Sequence, residues 1–123
     1  MTMNTINDNP GLLLLREKIR HGKEPDNPAL LPLWLSLEEE HQQHLSTMYL
    51  LAQHFENQFY LLLETVVDEL VPCHWRRTCL DFIYKPLSSL QRISHDQQSK
   101  NHVAKLLREL AVSSRYVERS LIQ

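Results

Sequence analysis

Apolar residues recur every three or four positions through most of this chain, and proline-rich or polar stretches separate the runs, which predicts a series of amphipathic α-helices. The first is expected from Asp8-Asn9-Pro10 to about His21. A capping side chain precedes the proline, Leu12, Leu15 and Ile19 share a face that Arg16, Lys18 and Arg20 mostly avoid, and Gly22 ends the run. Pro25, Pro28 and Pro32 then punctuate a linker, 23–35, whose Leu30, Leu31, Leu33 and Trp34 predict that it packs down. Ser36-Leu-Glu-Glu39 has the form of a capping box, and Glu38, Glu39 and Glu40 complement a helix N-terminus there. No Gly or Pro follows until Pro72, so a single helix over 36–71 is expected, about 50 Å long.

Along that helix Leu45, Met48, Ala52, Phe55, Phe59, Leu62 and Val66 step by three and four, a coiled-coil-like seam flanked by Tyr49, Leu51, Leu63 and Val67. One short neighbour cannot cover so long a stripe. Either several other helices of the chain pack along it, or a second copy or a protein partner does. Beyond Pro72, Trp75, Cys79 and Phe82 or Ile83 continue a stripe through Pro86 into Leu87, Leu90 and Ile93, and the polar 94–101 breaks it. The pattern predicts one all-α domain, a bundle of four or five helices around 36–71. Its parts are 1–35 (helix and Pro-rich linker), the long helix, middle helices in 73–98, and 102–123.

Composition agrees, with only 2 Gly in 123 residues and an abundance of strong helix formers. No apolar run approaches the roughly 18 residues of a membrane span, and the first residues lack the basic and apolar regions of a secretory signal. A cytoplasmic protein with no membrane contact is expected, its Cys73 and Cys79 reduced. Net charge is −2, but unevenly spread. Residues 1–73 carry four Lys/Arg against eleven Asp/Glu, and residues 74–123 carry nine against four. Either the basic half meets a polyanion, or an acidic face docks on a basic one within the same bundle.

The basic half ends in His102-Val-Ala-Lys-Leu-Leu-Arg-Glu-Leu-Ala-Val-Ser-Ser-Arg-Tyr-Val-Glu-Arg-Ser-Leu-Ile-Gln123. Leu106, Leu107 and Leu110 fit the anchors of a first helix, Ala111-Val112 a turn, Ser113 the cap of a second helix, and Val117 and Leu121 its anchors. At motif level this resembles the helix-turn-helix of DNA-binding regulators, over about one sixth of the chain. It departs from the pattern at Leu107, where alanine is usual, and at Ala111, where glycine is favoured. The resemblance implies contact with duplex DNA. Lys105 and Arg108 would position on the backbone, Arg115 and Arg119 would pair with guanine edges, and Ser113, Ser114 and Tyr116 would face phosphate or bases. The same residues, Val103, Leu106, Leu110, Ser113 and Val117, also fit one uninterrupted amphipathic helix.

Other chemistry is sparse. Glu38, His41 and His44 lie near one helix face, but the second Glu-x-x-His pair of a di-metal bundle is missing, so polar decoration is the favoured account. Cys73, His74 and Cys79 lack zinc-site spacing, and Trp75-Arg76-Arg77 offers stacking on nucleic acid or an ordinary core aromatic with solvated arginines. No phosphate loop, nucleophile elbow or His-Glu-x-x-His is present. The expectation is therefore a non-enzymatic protein with no metal, cofactor or small-molecule substrate. The leading reading is a small dimeric DNA-binding transcriptional regulator. The alternative is a helical adaptor (anti-sigma-like, secretion-chaperone-like or assembly protein) that binds a protein partner through the seam.

Overall fold

Asn9 opens the first helix, its side chain accepting from the amides of Gly11 and Leu12, and Pro10 follows where no amide proton is needed. The chain is seen here in a computed structural model that describes residues 9–121, with side chains through Arg119. This helix, α1 (Pro10–His21), stops at Gly22, whose φ of 59° lets its amide and that of Lys23 return to the last carbonyls. A Cβ at Gly22 would come within 2.9 Å of Val71 and 3.1 Å of Trp75, so the position needs glycine for space as well as for conformation.

The remaining helices are α2 (Leu30–Gln42), α3 (Met48–Val67), α4 (Cys73–Phe82), α5 (Tyr84–Ile93) and α6 (Gln97–Leu121). The all-α bundle is as the pattern predicts, with α4 and α5 forming one rod interrupted at Ile83. Pro86 explains the interruption: it lacks the amide proton that would bond to the Phe82 carbonyl, and its ring crowds that oxygen. Consecutive rods alternate in direction. Arg20 meets Asp68 and Thr65 donates to the Arg20 carbonyl, which sets the C-terminal ends of α1 and α3 together. α3 is the central rod, touching α1, α4, α5 and α6, while α2 packs on α1.

The expected 36–71 helix is two helices. α2 begins six residues before Ser36, because Pro32 falls in the first turn, where its missing amide costs nothing; Ser36 lies mid-helix and caps nothing. Residues 43–47 then break the rod without Gly or Pro, and Thr47 restarts it, its Oγ1 accepting from the Leu50 amide at 3.1 Å. The linker 23–35 is correspondingly shorter than expected.

The seam on α3 is mostly filled from within the chain. Phe59, Leu62 and Val66 are fully buried beside Leu31, Trp34, Trp75, Ile83 and Leu106. Trp75 donates to the Ile19 carbonyl at 2.9 Å and buried Arg76 covers the Val66 carbonyl at 2.8 Å. The Trp75-Arg76 pair therefore belongs to the core and is not a stacking surface. Cys79 is buried and Cys73 exposed, both as free thiols, and burial pushes the Cys79 thiol up to about 12.

α6 runs unbroken through Ala111-Val112. The turn that a helix-turn-helix requires is not formed, which corrects that expectation. Val103, Leu106, Leu110 and Val117 keep one buried stripe through the region, and nothing in the sequence forces the backbone to leave it. Among the described residues, no helix is long and apolar enough to cross a membrane.

Candidate partner-binding groove

Two residues on α3 reach across to α6. Glu56 meets His102 Nε2 at 3.1 Å, and the Tyr60 hydroxyl donates to Glu109 at 2.7 Å. Since 56 precedes 60 as 102 precedes 109, α3 and α6 run parallel. Burial and the Glu109 carboxylate raise the Tyr60 phenol to about 12, which keeps it a donor.

On the solvent side of these bridges the two helices leave a groove. Its first part, about 690 Å³, is lined by Met48, Tyr49 and Ala52 of α3, Ile93 of α5, and His102 and Lys105 of α6. Its second part, about 620 Å³, lies farther along the same pair and is lined by Leu63, Val67, Val112, Lys105 and Arg108. Met48 is 51% exposed, Tyr49 69%, Val67 40% and Val112 67%. These are large apolar groups that the fold leaves in water.

The expected seam thus divides. Phe55, Phe59, Leu62 and Val66 serve the core, Leu45 lies in the connection before α3, and only Met48 and Ala52 line the groove. The DNA-contact set divides as well. At 100° per residue Lys105, Arg108, Val112, Arg115 and Arg119 fall within an arc of about 80° opposite the buried stripe. All five are exposed, as is Tyr116, whereas Ser113 and Ser114 are half-buried. No carboxylate among the described residues meets Lys105, Arg108, Arg115 or Arg119. An acidic face docking on a basic one within the bundle therefore does not account for these four cations.

A second polar cluster lies between α1, α2 and α3. Glu38 is buried, held by Arg16 at 2.8 and 2.9 Å and by the Trp34 indole at 2.6 Å. Glu38 is therefore not surface decoration. His54 packs beside it, its Nε2 placed to accept from Gln58 at 2.9 Å and its Nδ1 4.0 Å from the Glu38 carboxylate. Burial holds the His54 imidazole below the ordinary histidine range, His41 and Arg16 add to this, and Glu38 opposes it. His44 falls outside this cluster, in the exposed turn after α2. Among the described residues no group of His, Cys, Asp and Glu is arranged to hold a metal ion. A larger cleft of about 1070 Å³ separates α2 from α5, but serines and glutamines make up much of its lining, and Glu39, Lys85 and Arg92 bring charges of both signs.

Sequence reasoning missed the groove because its walls come from helices about fifty residues apart, joined by Glu56–His102 and Tyr60–Glu109 pairs that no local pattern announces. The sequence matches no protein-family model and no curated protein, and the fold matches no solved structure.

Proposed function

We propose that this chain is a protein-binding adaptor that receives a segment of its partner in the α3–α6 groove. The observation that carries this reading is the apolar surface left open there, where Met48, Tyr49, Val67 and Val112 gather along one pair of helices, whereas Leu14, Leu33, Leu70 and Tyr84 are exposed singly on other elements. Association would remove that surface from water, and the flanking side chains would set register.

The test is recovery of a partner from the cells of origin with the tagged full chain. Met48→Asp combined with Val112→Asp abolishes recovery while far-UV circular dichroism is unchanged. Leu14→Asp, an equal insult on exposed α1, leaves recovery intact. A partner lost with Leu14→Asp and kept with the groove pair, or no specific partner at all, overturns the proposal.

A second reading keeps duplex DNA as the partner, favoured by the line of Lys105, Arg108, Arg115 and Arg119, which spans about 21 Å of one helix face. Four phosphate contacts predict that log K falls against log salt with a slope of about −3.6. A gel shift at low salt, abolished by Arg115→Ala with Arg119→Ala, supports it; no shift with any duplex removes it.

A further inference from the structure

The lining of the groove has a charge pattern that narrows its occupant. Four carboxylates line it, each held by a neighbour: Glu56 beside His102, Glu109 accepting from Tyr60, Glu64 3.7 Å from Arg20, and Asp96 accepting from the amide and hydroxyl of Ser99, whereas the outward face of α6 presents Lys105, Arg108, Arg115 and Arg119. The cations Lys105 and Arg108, which line both parts of the groove, meet no carboxylate among the described residues. The apolar stretches on α3, Met48 to Ala52 and Leu63 to Val67, are separated by Glu56 and Tyr60 and together span about 28 Å or five turns of helix.

From this we infer that the occupant is an amphipathic helix of about five turns, with a carboxylate-rich flank that lies along Lys105 and Arg108. The inference rests on the adaptor reading and adds the chemistry of the partner. Apolar side chains at i, i+3 or i+4, and i+7 fit the two open stretches on either side of the Tyr60–Glu109 bridge. Carboxylates on the α6 side complete ion pairs that the fold leaves unmade. Because these pairs form at the rim, they set orientation and association rate more than affinity. A duplex is the poorer match: Lys105 and Arg108 border a concave apolar floor, over which phosphates would lose water and gain nothing.

The experiment is a display selection against the full-length chain. The probe is a library of helices of about 18 residues with a fixed leucine pattern and flanking positions varied among Asp, Glu, Gln, Lys and Arg. Selected binders are expected to carry Asp or Glu on one flank. Lys105→Glu with Arg108→Glu is expected to weaken them about tenfold or more and to shift a repeated selection toward Lys and Arg. Binders that compete with one another and fail on Met48→Asp, but show no charge preference, overturn the acidic partner and leave the adaptor reading standing. No binder that depends on Met48, or binding of duplex DNA with the same Lys105 and Arg108 dependence in place of acidic helices, overturns both.

Discussion

Replacing Glu38 by Gln removes a charge from the most enclosed polar contact in the bundle. The Glu38 side chain is 3% exposed and accepts three hydrogen bonds, two from Arg16 and one from Trp34. Glutamine keeps the shape and one acceptor oxygen, so one or two of the three bonds survive, but its amide NH₂ meets a guanidinium N–H donor to donor. Removing one member of a buried ion pair costs about 3–5 kcal/mol. The Arg16 side chain is 32% exposed and can turn into water, which lowers the loss to about 2–3 kcal/mol. For a chain of 123 residues that is a fall in Tm of about 8–12 °C. Urea denaturation followed by tryptophan fluorescence is the assay, since Trp34 and Trp75 are both fully buried. Arg16→Met alone, which strands the buried carboxylate, should lose at least as much, and Arg16→Met with Glu38→Leu should recover part of it, the remainder being the buried Trp34 indole N–H left without its acceptor. A loss below about 1 kcal/mol for Glu38→Gln, or additivity in the double variant, would refute the claim that this pair fastens α2 to α1.

Two further outcomes test other parts of the fold. Burial lowers the His54 imidazole in the folded state below its unfolded value near 6.5, so the unfolded chain takes up the proton first as pH falls. Stability is therefore full above about pH 7 and declines below about 6.5, in a window above that of the carboxylates Glu24, Asp68 and Asp96, whose lowered values act only at more acid pH. His54→Phe should flatten the change in unfolding free energy between about pH 7.5 and about pH 5.5, and an unchanged slope would assign the decline elsewhere. The continuity of α6 is checked by sign: Ala111→Gly should cost about 1 kcal/mol and Ser113→Ala should gain up to about 0.5 kcal/mol, whereas a turn capped by Ser113 would reverse both.

Where local chemistry decides the backbone, the sequence was legible. Asn9-Pro10 and Gly22 bound α1, and Trp75, Cys79, Ile83, Leu87 and Leu90 form the stripe of α4 and α5, whose interruption at Ile83 follows from Pro86. The same kind of reading failed over 30–47. Ser36-Leu-Glu-Glu39 has the composition of a cap but lies inside a helix whose start is fixed by the burial of Leu30, Leu31 and Trp34. The break before Met48 carries no stronger mark than Ser46-Thr47, and it follows from α2 folding back to bring Glu38 to Arg16. Lys105, Arg108, Arg115 and Arg119 are exposed cations on one face, as their spacing predicts, whereas Ser113 and Ser114 are half-buried, and which helix the cations border depends on tertiary packing. The groove depends on Met48 and Ala52 lying beside Lys105, across half the chain, which no local pattern encodes.

The parallel course of α3 and α6 gives the groove a polarity. Thr47 caps α3 and Asp96 caps α6 at the same end, so two helix macrodipoles point their positive poles the same way, each equivalent to about half a charge. Side by side such dipoles repel, but the antiparallel α5 packs on both and offsets this, while the Glu56–His102 and Tyr60–Glu109 contacts tie the pair directly. A helix lying antiparallel to both would bring its own negative pole to the shared positive end and its positive pole to the two carbonyl-rich C-termini. Backbone electrostatics would therefore favour the antiparallel sense for a bound helix, the sense in which α5 already packs against the pair.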